Sequence, residues 1–244
     1  MNSPKNILVT GASRGVGAAI CRTLLQEGHT VFGVSRTLSA EITAMQSDYS
    51  DTFFFKSVDL ANTSAMRTAL FVDFLDNSKP LHGYVNNAAQ AYDDLITNLS
   101  EEKLQSMFSV NVLSPMMITK YAIRNMILNR VQGSIVHISS VSAHTGYKGL
   151  AMYAASKGAI EAFSLTTARE WGEKGIRSNC IVAGFMETEM SIGLSPDQKN
   201  RIYNRTSLKK ATSIQSLADT VSFLLSHKAE SITGTNVFVD NGTI

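Results

Sequence analysis

Tyr153 and Lys157 stand four positions apart, and a helix carries i and i+4 side chains on one face. A free phenol titrates near 10, too high for efficient proton exchange at neutrality. An ammonium beside it favours the phenolate and lowers that value, as would a cationic ring bound nearby. The pair therefore reads as a tuned proton donor. A Tyr-x-x-x-Lys spacing is common by chance, so its weight depends on the rest of the chain.

A second cluster lies near the amino terminus. Thr10-Gly11-Ala12-Ser13-Arg14-Gly15-Val16-Gly17 follows a short apolar run and precedes a helical pattern. Gly11 can take the positive φ of a tight turn, while Gly15 and Gly17 let backbone approach a ligand and pack helix on strand. The helix start offers unpaired N–H groups and about half a positive charge, which suit a pyrophosphate. Glycine spacing alone is weak. With a strand before it and a helix after it, the turn reads as a dinucleotide site, with Ser13, Arg14 and Val16 between its glycines. An NAD site usually places an acid at the end of the second strand. Here that strand ends Gly33-Val34-Ser35-Arg36-Thr37, without one. Arg36 and Arg14 can converge on a 2′-phosphate. Charge-assisted bonds of roughly 1.5–3 kcal/mol each would discriminate by at least two orders of magnitude, so the cofactor is expected to be NADP(H).

These residues need a scaffold. Apolar runs are expected as strands over Asn6–Thr10, Thr30–Val34, Phe53–Val58, Gly83–Asn86, Ser134–Ile138, Ile176–Val182 and Asn236–Asp240. Helical patterns occupy 15–28, 62–76, 101–129, 151–173 and 213–227, and Ser195-Pro196-Asp197 begins a short helix within the otherwise irregular 185–212. The alternation predicts one α/β domain over 1–244, a Rossmann-type, doubly wound parallel sheet of about seven strands with helices on both faces. The 185–212 segment is expected to be a mobile substrate loop.

Composition narrows the function classes. Apolar residues make up 44% and charged residues 17% of 244, with four prolines, which excludes a disordered chain. A net charge of +2 does not suggest a nucleic-acid surface. Cys21 and Cys180 lie far apart, so neither a metal site nor a disulfide framework is expected. No run approaches the roughly 18 apolar residues of a membrane span. The expectation is a cytoplasmic protein.

Thr10–Gly17, Asn86-Asn87-Ala88-Ala89, Asn111, Ser139-Ser140 and Tyr153-Ala154-Ala155-Ser156-Lys157 together resemble the short-chain dehydrogenase/reductase family, in its order and spacing from Ile7 to Gly242. Length, the short C-terminus and Phe185–Met190 resemble most its 3-oxoacyl-ACP reductases. The resemblance implies that Ser140 steadies the carbonyl oxygen, Tyr153 protonates it and Lys157 also holds the nicotinamide ribose. Hydride passes from the nicotinamide to the carbonyl carbon. It implies that Asp59 and Leu60 meet the adenine, that Asn86, Asn87, Ala88 and Ala89 line the cofactor, and that Gly184, Met186 and Thr188 bracket the carboxamide and pyrophosphate. Pro115 has no N–H, which frees the carbonyl of Asn111 for a water. The family places such a water in a relay to the lysine; a simple helix kink is the alternative.

Departures from the pattern are Ala89, Ala183, Asn241 and Ser207–Ala211, none of which removes a reacting group. Met186, Met190, Ile192 and Leu194 could cover an acyl chain, and Arg130 and Lys174 stand near helix ends where carrier-protein reductases meet their acidic carrier. Each could equally be core or solvated surface. The expected function is reduction of a 3-oxoacyl thioester, with acyl carrier protein as a possible partner and a homo-oligomer (tetramer or dimer) formed through 101–129 and 151–173. A reductase or dehydrogenase of a small carbonyl, sugar or steroid is the alternative enzyme, and a catalytically silent NADP-binding subunit the alternative of another class.

Overall fold

A computed structural model of the chain describes residues 3–76, 79–188, 191 and 193–244. Seven strands occur where apolar runs predict them, with ends shifted by at most two residues: β1 (Asn6–Thr10), β2 (Thr30–Ser35), β3 (Phe53–Ser57), β4 (Gly83–Asn86), β5 (Ser134–Ser140), β6 (Arg177–Ala183) and β7 (Asn236–Val239). They form one sheet in the order β3-β2-β1-β4-β5-β6-β7, parallel throughout. Ile7, Leu8 and Val9 of β1 are all fully buried, because helices cover both faces. One core layer gathers Ile7, Val9, Ile20 and Leu24 with Leu217, Val221 and Leu224. The opposite layer gathers Leu8, Phe32 and Tyr84 with Ile118, Ile123 and Met126.

The helices are α1 (Gly15–Gln26), α2 (Ala40–Asp48), α3 (Glu101–Phe108), α4 (Ser114–Leu128), α5 (Ala151–Trp171), α6 (Pro196–Arg205) and α7 (Ile214–Leu225). Strand order reverses between β1 and β4, and the crevice at such a switch point is where this architecture binds ligands. The amino ends of α1 and α5 and the carboxyl ends of β1, β2 and β5 lie on that edge.

Three local departures from expectation have physical reasons. Sequence periodicity does not reveal α2, since only Ile42 and Met45 are buried; it is set by the cap, with Ser39 Oγ accepting from Ile42 N at 3.3 Å. The 62–76 pattern becomes a π-helical turn over Arg67–Val72. The long 101–129 pattern divides at a second π-helical turn, Ser109–Leu113, just before Pro115. Such turns arise where an i→i−4 bond is missing. The 185–212 loop contains α6, opened by the expected Ser195: its Oγ accepts from Gln198 N, and Ser195 N donates to Gln198 Oε1.

Candidate active site

The glycine turn hangs from the end of β2, with Gly11 at φ +71° and its N donating to Val34 O at 2.7 Å. A Cβ on Gly17 would stand 2.0 Å from Gly11 O, and one on Gly11 2.7 Å from Asn87 Nδ2, so both positions require glycine. Asn87 Nδ2 donates to Thr10 O at 3.0 Å and to Gly11 O at 3.2 Å. Thr10 Oγ1 accepts from Asn87 N and Ala88 N, both at 3.2 Å. Asn87 therefore braces the turn across the switch point, with its amide protons committed to backbone rather than turned outward to line a cofactor. Asn86 is buried beneath it, and Ala88 and Ala89 follow, half-buried.

α1 starts at Arg14 with no side-chain cap and no acid in its first turn. Its leading N–H groups and positive dipole end thus fit a diphosphate. Gly15 takes φ +53°, and the nearest atom to a Cβ there is Thr188 Cγ2 at 3.8 Å, so the loop after β6 leans over the turn. Val16 packs against the core below. Ser39 Oγ donates to Ser13 O at 2.6 Å, tying the Arg36 loop to the turn that carries Arg14. Both arginines are exposed, and Ser57 Oγ holds Arg36 O at 2.6 Å.

Asp59 forms an Asx turn, Oδ1 accepting from Ala61 N at 3.0 Å, while Leu60 is buried in the core and can meet a ligand only through its backbone. Gly184 is fixed by packing, since a Cβ would meet Thr212 Oγ1 at 2.5 Å and Asp240 Cα at 2.6 Å. Met186 is half-buried against the core. Met190 and Ile192 lie outside the described residues. Arg130 and Lys174 sit where α4 leads into β5 and where the turn after α5 leads into β6, at the edge opposite the crevice. They do not adjoin the site.

The reacting groups come from β5 and α5. Ser140 closes β5, half-buried, with Oγ accepting from Ser142 N at 3.2 Å. Tyr153, partly buried, packs with Tyr92, Met107 and Met152. Lys157 is 5% exposed; its Nζ donates to Ile138 O at 2.8 Å and lies 5.5 Å from the Tyr153 ring centroid. Burial holds the ammonium down to about 8, although Cys180 and Glu161 oppose that effect. The phenol departs from expectation. Burial, then the Asp93 carboxylate, pushes Tyr153 up to about 12. A bound cationic ring would have to supply any lowering.

Asn111 is 2% exposed, and its side chain is fully engaged. Its Oδ1 accepts from Gln90 N at 2.8 Å, and its Nδ2 donates to Gln90 O at 2.9 Å and Ser156 Oγ at 3.0 Å. Ser156 Oγ donates onward to Tyr153 O at 2.7 Å. The amide thus clamps the loop after β4 to the first turn of α5. Only its backbone carbonyl is a candidate for the expected water. Sequence reasoning did not find the Asn87 brace, the Ser39 tie or Asp93 facing Tyr153; the Ser-x-Glu start of α2 was the one signal available for Ser39.

A family described as enoyl-(acyl carrier protein) reductase matches residues 11–243. The L-xylulose reductase of Caenorhabditis elegans is 31% identical over 98% of this chain and 95% of its own. The 3-oxoacyl-(acyl-carrier-protein) reductase of Chlamydia muridarum is 34% identical over 98% of this chain and 96% of its own. The chain belongs to the short-chain dehydrogenase/reductase family. A solved 4-hydroxyisoleucine dehydrogenase complexed with NADH superposes on this short-chain dehydrogenase/reductase with a TM-score of 0.90 at 25% identity, covering 98% of both chains. It is an NAD(P)H-dependent oxidoreductase acting on a carbonyl or alcohol. The bound nicotinamide supplies or accepts the hydride. The chain's own groups have to bind it, orient the carbonyl and move the proton. No group of three His, Cys, Asp or Glu residues among those described could hold a metal, and no described helix is long and apolar enough to cross a membrane.

Proposed function

We propose that this oxidoreductase uses NADPH to reduce a 3-oxoacyl thioester to the 3-hydroxyacyl form. The observation that carries the chemistry is Lys157 against the Tyr153 ring, one helical turn apart, on the helix that faces Ser140. Ser140 Oγ donates to the carbonyl oxygen, Tyr153 protonates it, and Lys157 binds ribose and supplies positive charge beside the phenol. Asn111 orients α5 and, through its carbonyl, receives a water on the proton path. Gly11, Ser13, Gly15, Val16, Gly17 and Thr188 cradle the diphosphate, Asp59 and Leu60 flank the adenine, and Ala88, Ala89, Gly184 and Met186 line the dinucleotide, with Asn87 holding their turn. The thioester reading is supported by relatives with that printed activity. A carrier protein would present the substrate at the crevice rather than at Arg130 and Lys174. Exposed Leu113, Leu128 and Leu165 on and beside α4 and α5 support a homo-oligomer, and two free buried thiols suit a cytoplasmic location.

Coupling NADPH or NADH oxidation to acetoacetyl-CoA, acetoacetyl-ACP, xylulose and a steroid ketone tests the substrate class. Turnover of the non-thioesters alone would remove the thioester. Xylulose is the second reading, supported by the 31% identical L-xylulose reductase and by an Asp93 carboxylate near enough to act electrostatically on Tyr153.

The NADPH preference rests on Arg14 and Arg36 beside a strand end without a carboxylate. Arg36→Asp is expected to lower the NADPH-to-NADH ratio of kcat/KM by about 100-fold or more. An unchanged ratio would show that Arg36 does not read a 2′-phosphate.

A further inference from the structure

Glu161 lies on α5 one turn beyond Lys157, with its side chain only 11% exposed. Burying a carboxylate is costly unless its oxygens are fully partnered. Here the partners come from three separate places. Ser139 Oγ, at the end of β5, donates to Oε1. Asn236 Nδ2, at the start of β7, donates to Oε2 at 2.7 Å. His144 Nε2, in the loop after β5, meets Oε2 at 2.9 Å, and its ring stands edge-on to Phe238 with centroids 5.1 Å apart. No lysine or arginine pairs with this carboxylate among the described residues.

Ser139 directly precedes Ser140, and Ile138, one residue earlier, receives the Lys157 ammonium. The strand segment 138–140 is therefore held to α5 at two successive residues, by a cation and then by an anion. A reacting group misplaced by about 1 Å can cost on the order of 100-fold in rate, so this double tie fixes a distance that matters.

We propose that Glu161 is a positioning residue for the reacting groups: it sets Ser140 against Tyr153 through Ser139 and places a carboxylate one turn from Lys157. The inference rests on the reading of Ser140, Tyr153 and Lys157 given above. The groups facing Lys157 are Tyr153 and Glu161 on its own helix, His137 on β5 and Cys180 on β6. Of these, Glu161 is the only carboxylate.

Glu161→Gln keeps the shape, still accepts from Ser139 and removes the charge. The lysine side chains of the NADPH-bound protein would be titrated by NMR, with Lys157 assigned through Lys157→Met, alongside kcat and KM for acetoacetyl-CoA. The Lys157 midpoint is expected to fall by about one pH unit, a tenfold change in proton affinity. The alkaline limb of kcat should move down by the same amount, with kcat at pH 8 about fivefold lower and KM within twofold of wild type. Glu161→Asp should restore the midpoint. A folded Glu161→Gln protein with the wild-type Lys157 midpoint, or with the wild-type kcat, overturns the proposal. Should that variant fail to fold, Ser139→Ala decides: it keeps the charge and should lose about tenfold in kcat with the alkaline limb unmoved, and a wild-type kcat would again overturn it. Failure of wild type to reduce any ketone would sink the function proposed above, while the Lys157 titration still decides the role of Glu161.

Discussion

Tyr153→Phe is expected to lower kcat for carbonyl reduction by about 1,000-fold while leaving the fold and NADPH affinity intact. General-acid catalysis by a positioned group contributes roughly 100- to 10,000-fold, and the other phenol of this wall, Tyr92, has its hydroxyl committed to Asn98 O and Ser100 N. The aromatic body that fills this wall survives the substitution, so the melting temperature should stay within about 2 °C. Because burial and Asp93 push the phenol up to about 12, it keeps its proton throughout the neutral range. The pH limit on reduction should therefore come from Lys157: activity falls as pH rises through about 8, where the ammonium loses its proton. A phenylalanine variant with wild-type turnover would remove Tyr153 as proton donor. An activity that stays flat from pH 7 to 10 would remove the lysine's part in tuning the reaction.

Lys157→Met should abolish turnover to a similar extent and yet make the protein more stable at neutral pH. The ammonium is 5% exposed, and burial lowers it from 10.5 to about 8. That displacement corresponds to about 3 kcal/mol against the folded state below pH 8. Folding here depresses a lysine, so the unfolded chain binds more protons between about 8 and 10.5. The penalty is complete below 8, shrinks as pH rises through that window and is gone above 10.5. Methionine removes it but orphans the Ile138 carbonyl, at a cost of about 1–2 kcal/mol. Urea denaturation at pH 6.5 should give the variant an advantage of about 1–2 kcal/mol, reversing by pH 10.5. Raised thiols at Cys21 and Cys180 bend the wild-type curve the other way above pH 9, so the difference between the two proteins is the quantity to follow. A variant less stable than wild type at pH 6.5 would mean that the buried charge carries no such penalty.

All seven strands could be read from short β-branched runs, because a doubly covered sheet leaves its strands apolar on both faces. Glycine needs at 11 and 17 were equally legible, since they arise from local backbone geometry. What escaped was chemistry made between distant segments. The amide protons of Asn87 go to Thr10 and Gly11, seventy-seven and seventy-six positions away, and no local pattern announces that pairing. α2 escaped because two buried side chains are too few to impose a period. Sequence spacing reports the cation beside the Tyr153 phenol but not the depth of burial, which raises the phenol before any cationic ring is bound. Arg130 and Lys174 stand near helix ends as expected, and the parallel sheet puts those ends at the edge opposite the crevice of the same chain.

The widened turn at Ser109–Leu113 has a consequence for rotational phase. A regular helix advances about 100° per residue, so one extra residue in a turn offsets everything after it by that angle. Met107 before the turn, and Ile118, Ala122 and Met126 after it, all reach buried positions, while Asn111 between them faces Gln90 and Ser156. On an unbroken helix Asn111 would lie within about 40° of both Met107 and Ile118, on the apolar stripe itself, so the offset separates the amide from that stripe. Deleting one residue to regularise the winding would keep the helix and swing either the amide or the stripe out of place.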